Sequence, residues 1–173
     1  DQDKAVCVIK NLQKPKPTRF AVTLKDISFT ANAGEILAIA GIAGNGQDEI
    51  MAALSGEWRP ASAGVITLDG QDISHLGPAA RRRFGVGIVP EERNGHAAIP
   101  SMSLSNNALL TNHSLGKTIQ YGVIDDAATK EMAAEVINNF DVRVPSDDPI
   151  AASLSGGNLQ KFVVGREIIK SPR

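Results

Sequence analysis

The chain has 173 residues, enough for one ordinary domain that buries roughly 70% of its unfolded surface. Its net charge is −1 and its aromatic content 4%, which excludes a basic nucleic-acid footprint and a stacking platform for single strands. Cys7 is the only cysteine, so an internal disulfide and a thiolate cluster are excluded, and a reducing compartment is the natural setting.

No apolar run approaches the ~20 residues of a membrane span, and the opening Asp-Gln-Asp-Lys does not read as a signal peptide. Membrane association is therefore expected only through a partner. His75, His96 and His113 show no ligand spacing and read as surface or turn residues. Arg81, Arg82 and Arg83 point around a helix rather than along one face, and read as solvated.

In chain order, Val6–Ile9 and Val22–Phe29 read as strands, with Lys14-Pro15-Lys16-Pro17 as a loop between them. Asn32-Ala33-Gly34 is a tight turn. Glu35–Ala40 is almost wholly apolar and reads as a strand buried on both faces, as in a covered parallel sheet. A glycine-punctuated turn, Gly41–Gly46, leads into a helix over Asp48–Leu54, with Ile50, Met51 and Leu54 on one side and Gly56 as its stop. Val65–Leu68 and Gln71–Ile73 form a hairpin about Asp69-Gly70. Pro78–Phe84 is a short helix, and Val86–Val89 reads as another buried strand. From Pro90 to Pro149 helix-forming polar segments replace the strands. The clearest helix is Asp126–Phe140, with a stripe of Met132, Ala133, Val136, Ile137 and Phe140. The last helix starts near Gly157, runs to Lys170, and stops at Ser171-Pro172.

A strand, a glycine-rich turn and a helix make the layout of a phosphate loop, in which backbone N–H groups and the positive helix end attract a phosphate chain. In Gly41-Ile42-Ala43-Gly44-Asn45-Gly46-Gln47-Asp48 the glycines fit G-x-x-x-x-G-K-[ST], but Gln47 takes the lysine position and Asp48 the Ser/Thr position. A structural turn accounts for the glycines equally well. A charge-assisted bond to phosphate is worth about 1.5–3 kcal/mol, and a neutral amide forfeits much of it. Asp48 adds a charge whose repulsion at ~5 Å and an effective dielectric of ~20 is on the order of 3 kcal/mol. It could instead ligate Mg²⁺. The expected net loss is two or more decades in ATP affinity at ~1.4 kcal/mol per decade.

The strongest motif is Leu154-Ser155-Gly156-Gly157-Asn158-Leu159-Gln160-Lys161. Read by itself it is a serine N-cap before a helix. In its L-S-G-G-N form, far C-terminal to the loop, it resembles the signature motif of ATP-binding cassette (ABC) ATPases. The similarity runs from Leu24 onward and is nearest to the second cassette of tandem-cassette importers for simple sugars and nucleosides. Gly44-Asn45-Gly46-Gln47, Pro90-Glu91-Glu92-Arg93, Met102–Leu109 and Lys161–Glu167 all resemble that group.

The resemblance implies an α/β fold, a P-loop NTPase core of the ABC ATPase kind, with an N-terminal antiparallel β region and a helical insertion. It implies three parts: residues 1–89 as β-subdomain and phosphate-loop core, 90–153 as Q-loop-like segment and helical subdomain, and 154–173 as signature and helix. The chain departs from the family pattern in three places. Glu91 stands at the Q-loop position, where a plain surface acid is the other reading. Phe20 is the candidate to stack on adenine, or else a core phenylalanine. The chain stops at Arg173, before the Walker B strand and the switch histidine, so the fold is expected to be incomplete and this chain by itself not to hydrolyse ATP.

In the family each ATP lies between one phosphate loop and the opposing signature. The resemblance therefore implies ATP and Mg²⁺ as cofactors, weakly held or absent at the chain's own loop. Leu154, Ser155, Gly156, Gly157, Asn158 and Gln160 would face ATP on a partner cassette, while Gly41, Gly44, Asn45, Gly46, Gln47 and Asp48 form a degenerate site. The implied partners are a second cassette and a transmembrane permease, with no nucleic acid, and the location is the cytoplasmic face of the membrane. A soluble ABC protein without permease and an interaction module that has lost nucleotide remain open alternatives.

Overall fold

A computed structural model describes residues 4–15, 22–92, 94–113 and 118–173, Gln120 by its backbone alone. The sequence expectations at Lys16, Pro17, Phe20 and Arg93 lie outside the described residues. The chain divides into two compact units, Asp1–Phe84 and Gly85–Arg173.

In the first unit β1 (Ala5–Lys14), β2 (Leu24–Asn32), β3 (Ile66–Leu68) and β4 (Gln71–Asp72) form an antiparallel sheet in the order β2-β1-β3-β4. Ile9 and Leu12 are both buried, although in a regular strand residues three apart face opposite sides. A register shift between them resolves the conflict. Asn11 there adopts φ 49, and its N–H donates to Ser28 Oγ at 2.8 Å. The β3–β4 turn has Asp69 at φ 47 and Gly70 at φ 76, the mirror-image turn that suits twisted strands, as the sequence predicts.

Helix α1 (Gln47–Ser55) ends at Gly56. The expected apolar stripe of α1 is only partly covered: Met51 is exposed, and Ala53 and Ser55 are its buried residues. Helix α2 (Pro78–Phe84) forms over the predicted residues. Its arginine run corrects the sequence reading, because Arg81 is fully buried. Successive helical side chains fan around the axis, so one of three faces inward. The Arg81 guanidinium donates to the carbonyls of Ala53, of Leu54 (2.7 Å), of Leu76 (3.0 Å) and of Ser74 (3.3 Å). Two of these carbonyls belong to the last turn of α1, which has no helical donors left and carries a partial negative charge. Burial pushes the nearby Cys7 thiol pKa up, and the charge of Arg81 pulls it the other way.

Two predicted strands do not form. Residues 35–40 are irregular and exposed, Ile36 at 96%. A buried parallel strand draws its burial from strands on both edges and helices on both faces, and no strand among the described residues pairs with this run. Residues 86–89 are also irregular, although Ile88 is buried.

The second unit contains α3 (Leu104–Asn112), the hairpin β5 (Ile119–Gln120) and β6 (Val123–Ile124), α4 (Asp126–Asn139) and α5 (Gly156–Ile168). The α4 stripe behaves as predicted: Ala133 and Val136 are buried, and Met132, Ile137 and Phe140 pack against the same core with Leu104, Ala108, Leu159, Phe162 and Val163. Asp125 caps α4, accepting from the Ala128 N–H at 3.0 Å. The β5–β6 hairpin escapes the sequence reading. Its signal was Tyr121-Gly122 between two short β-branched runs, with φ 53 and 81 at the turn.

Helices α4 and α5 meet at Gly165, where an added Cβ would lie 2.6 Å from Phe140 Cδ2 and 3.0 Å from Val136 Cγ1. Alanine gains about 1 kcal/mol of intrinsic helix preference there, but overpacking a filled core costs about 1–3 kcal/mol. A lower urea midpoint is expected for Gly165→Ala, checked by chemical denaturation.

Candidate functional site

The phosphate-loop residues are brought together as a tight exposed turn. Gly44 and Gly46 take φ 81 and 108, and Gly46 heads α1 without a side-chain cap. The Gln47 side chain folds back over the turn. Its Nε2 donates to the Ile42 carbonyl at 3.1 Å, and its Oε1 accepts from the Asn45 N–H at 3.2 Å. That N–H also reaches the Ile42 carbonyl at 3.2 Å. Room for the amide comes from Gly41, where an added Cβ would sit 2.5 Å from Gln47 Nε2. Asp48 is exposed on the first turn of α1. Among the described residues no group of three or more His, Cys, Asp or Glu comes together to hold a metal ion.

The signature residues form the entry to α5. Leu154 packs on the core, while Ser155, Gly156, Gly157 and Gln160 are exposed. Ser155 is the extended N-cap predicted from sequence, and its Oγ accepts from the Asn158 N–H at 3.5 Å and from Asn158 Nδ2 at 3.0 Å. A hydroxyl that accepts in this way keeps its own proton to donate outward. An added Cβ on Gly157 would meet nothing within 4 Å, so no packing among the described residues requires a glycine there. Asn158 Oδ1 accepts from the Arg143 N–H at 3.0 Å, and Lys161 Nζ donates to the Asp141 carbonyl at 2.8 Å and to its carboxylate at 3.0 Å. The start of α5 is thereby tied to the turn after α4. The Lys161 ammonium, by hydrogen bond and then by charge, holds the Asp141 carboxyl below its usual pKa.

The family model described as ABC transporter matches residues 24–173. The chain belongs to that family. It is 37% identical over 157 residues to the guanosine import ATP-binding protein NupO of Bacillus subtilis (strain 168), covering 91% of this chain and 31% of that protein. It is 34% identical over 150 residues to the xylose import ATP-binding protein XylG of Paraburkholderia xenovorans (strain LB400), covering 87% and 28%. The chain thus spans under a third of the length of these relatives. A nucleotide-free ATP-binding cassette from an ABC transporter matches with TM-score 0.75 at 20% identity, over 97% of this chain and 66% of that one. A dimeric cassette bound to ADP and Pi matches with TM-score 0.73 at 19% identity, over 96% and 70%. At such identity the likeness speaks for the fold, which is the α/β ABC ATPase fold expected from the motifs.

Two further features of this cassette bear on the site. Glu91 stands exposed at a bend, and the neighbouring turn is closed by Ala97 N–H to Glu92 O at 3.1 Å and by Gly95 N–H to Ala98 O at 2.8 Å. Motif reading did not single out Arg166, which lies on α5 and is 1% exposed. It donates to the carbonyls of Ala97 at 2.8 Å and Asn107 at 2.9 Å, and to Glu167 Oε1 at 3.2 Å. Its signal in the sequence was a pair of charges, Arg166 and Glu167, within an otherwise apolar helix stretch, Phe162–Ile169.

Asn158→Ala removes the side-chain ties to Ser155 and Arg143. A net loss of about 1 kcal/mol per hydrogen bond is expected to speed backbone amide exchange at the start of α5 roughly fivefold or more, read by NMR. Because the folded pKa of Asp141 is lowered, its contribution is full above the unfolded value near ~3.9 and is lost as pH falls through the folded one. Asp141→Asn should make the amide protection factors at Asn158–Lys161, measured against intrinsic exchange, insensitive to Asp141 titration in that acid range.

Proposed function

We propose that this chain is part of an ATP-binding subunit of an ABC importer for simple sugars or nucleosides, and that it serves as the signature-donating half of a composite ATP site. The named functions of its relatives, guanosine and xylose import, support the substrate class. Their greater length supports a parent protein that carries another cassette. Bound ATP supplies the phosphoryl-transfer energy, and this chain's residues hold and orient it on the partner.

One observation carries the assignment of roles. Ser155 to Gly157 form an exposed helix start, and Gly157 has open space where a side chain would be. A glycine that its own fold does not need fits a surface that another molecule approaches closely. The Ser155 hydroxyl proton and the N–H groups of the first turn, at the positive end of α5, suit the terminal phosphate of a nucleotide on the facing cassette. The chain's own loop suits a triphosphate poorly: Gln47 brings no charge, its amide lies over the turn, and Asp48 adds a carboxylate on the helix that follows. No helix of the described residues is long and apolar enough to cross a membrane. Membrane work in this reading belongs to a permease, contacted by the segment from Glu91 through α4 at the cytoplasmic face.

The test is Ser155→Glu in the complete protein assembled with its permease. A carboxylate facing the terminal phosphate is expected to lower ATP turnover on the order of a hundredfold or more, the scale on which a positioned donor acts. Turnover equal to that of the unmodified protein would sink the assignment.

A further inference from the structure

The geometry points to Gln47 as the residue that decides whether this loop accepts a triphosphate, acting by occupying the loop rather than only by failing to supply a charge. The inference deepens the proposed reading of Gly41–Asp48 as a phosphate loop and rests on it. A phosphate bound in such a turn takes its hydrogen bonds from backbone N–H groups aimed inward. Here one of those donors, the Asn45 N–H, is already shared between two oxygens, Gln47 Oε1 and the Ile42 carbonyl, each at 3.2 Å. The other end of the same amide donates to the Ile42 carbonyl at 3.1 Å. One side chain thus spans the turn from the backbone of residue 42 to that of residue 45, adding a second bond to an acceptor and a donor that also meet each other. The amide has both polarities, which neither a lysine nor an aliphatic residue at 47 could offer.

Gly41 supports the same conclusion from a different atom. An added Cβ there would stand 2.5 Å from Gln47 Nε2 and 3.4 Å from its Cδ. The three atoms nearest to it outside its chain neighbours all belong to Gln47, the third being Oε1 at 3.9 Å. The space above Gly41 is therefore filled by the glutamine head group. The side chain is also not merely extended into solvent, because Gln47 is half-buried in a turn whose residues 41–45 are exposed. A triphosphate, whether part of a nucleotide or free, must displace this amide and compete with the Ile42 carbonyl for the Asn45 N–H.

The two explanations of a poor loop, missing charge and self-occupancy, make opposite claims about deletion. Under missing charge alone, Gln47→Ala gains nothing and Gln47→Lys gains much. Under self-occupancy, Gln47→Ala binds triphosphate better than the unmodified chain, although it introduces no charge. Gly41→Ala should do the same while leaving Gln47 in place, since its methyl group occupies the amide's position and faces only the flexible end of that side chain.

The experiment is calorimetric titration of this chain, of Gln47→Ala, of Gly41→Ala and of Gln47→Lys with magnesium inorganic triphosphate and, separately, with magnesium ATP. Backbone amide exchange at Asn45 is followed by NMR in each. The expected result is a gain of about tenfold in affinity for inorganic triphosphate in both Gln47→Ala and Gly41→Ala, with faster Asn45 exchange in both before ligand is added. An equal gain for ATP assigns the effect to the phosphate chain, and a gain for ATP alone would overturn it. No gain in either alanine variant, or a gain confined to Gln47→Lys, would also overturn it. None of these results bears on Ser155, which lies in the other compact unit, so the loop can fail this test while the signature assignment stands.

Discussion

The second unit is organised around a charge that has no access to water. Burying an unpaired guanidinium is prohibitive, so Arg166 can sit inside only if its N–H groups find acceptors. They find the carbonyls of Ala97 and Asn107 and the carboxylate of Glu167, which in turn accepts from Lys170 at 2.9 Å. Lys170 also donates to the carbonyl and hydroxyl of Thr111, each at 3.1 Å. Asn107 extends the network: its Oδ1 accepts from the Ile99 N–H at 2.7 Å, and its amide donates to the carbonyls of Ile99, Met102 and Ser103. Because a half-satisfied network of this kind is worse than none, α3, α5 and the 97–103 segment must adopt their positions together. That requirement fixes the far end of the helix whose start carries Ser155.

The first unit uses the same device with a different target. Arg81 is buried against the carbonyl end of α1, where a helix always lacks donors. The tail of α1 is therefore anchored by an ion, whereas its head, the glycine turn, is held by one neutral amide and one backbone turn bond, Asn45 N–H to the Ile42 carbonyl. Local opening is governed by how many buried contacts and bonds must break. The two ends of α1 thus differ in kind: one is cemented, and the other is closed by a side chain that rotation about a few bonds can remove.

This contrast bears on the proposed division of labour. A surface that presents donors to another molecule's phosphate has to be pre-organised, since any reordering at the moment of contact subtracts from binding. The start of α5 meets that condition through Asn158, Lys161 and the Arg166 network. The glycine turn, exposed and occupied by its own chain, does not. In that proposal the two motifs stand in physically unequal states, and the inequality is argued from identifiable side chains rather than from distance to any consensus.

How much of this could be read from the residues depends on range. Caps, turns and periodic stripes are decided by neighbours within a few positions, so Ser155, the Asp69-Gly70 hairpin, α2 and the α4 stripe are all legible in the residues alone. The β5–β6 turn was legible in principle from Tyr121-Gly122, but the flanking runs are too short to show a period. The apolar run 35–40 misled for a physical reason. Apolar composition states what a segment would do if covered, and only tertiary neighbours supply the cover. Gln47 folds onto partners two to six positions away, whereas the inward turn of Arg81 and the burial of Arg166 were set by the fold. Each of these two depends on carbonyls placed elsewhere in three dimensions. The sequence by itself determined which motifs exist and where helices begin. The tertiary structure alone decided which charges are buried, because that question turns on through-space partners that no local spacing encodes.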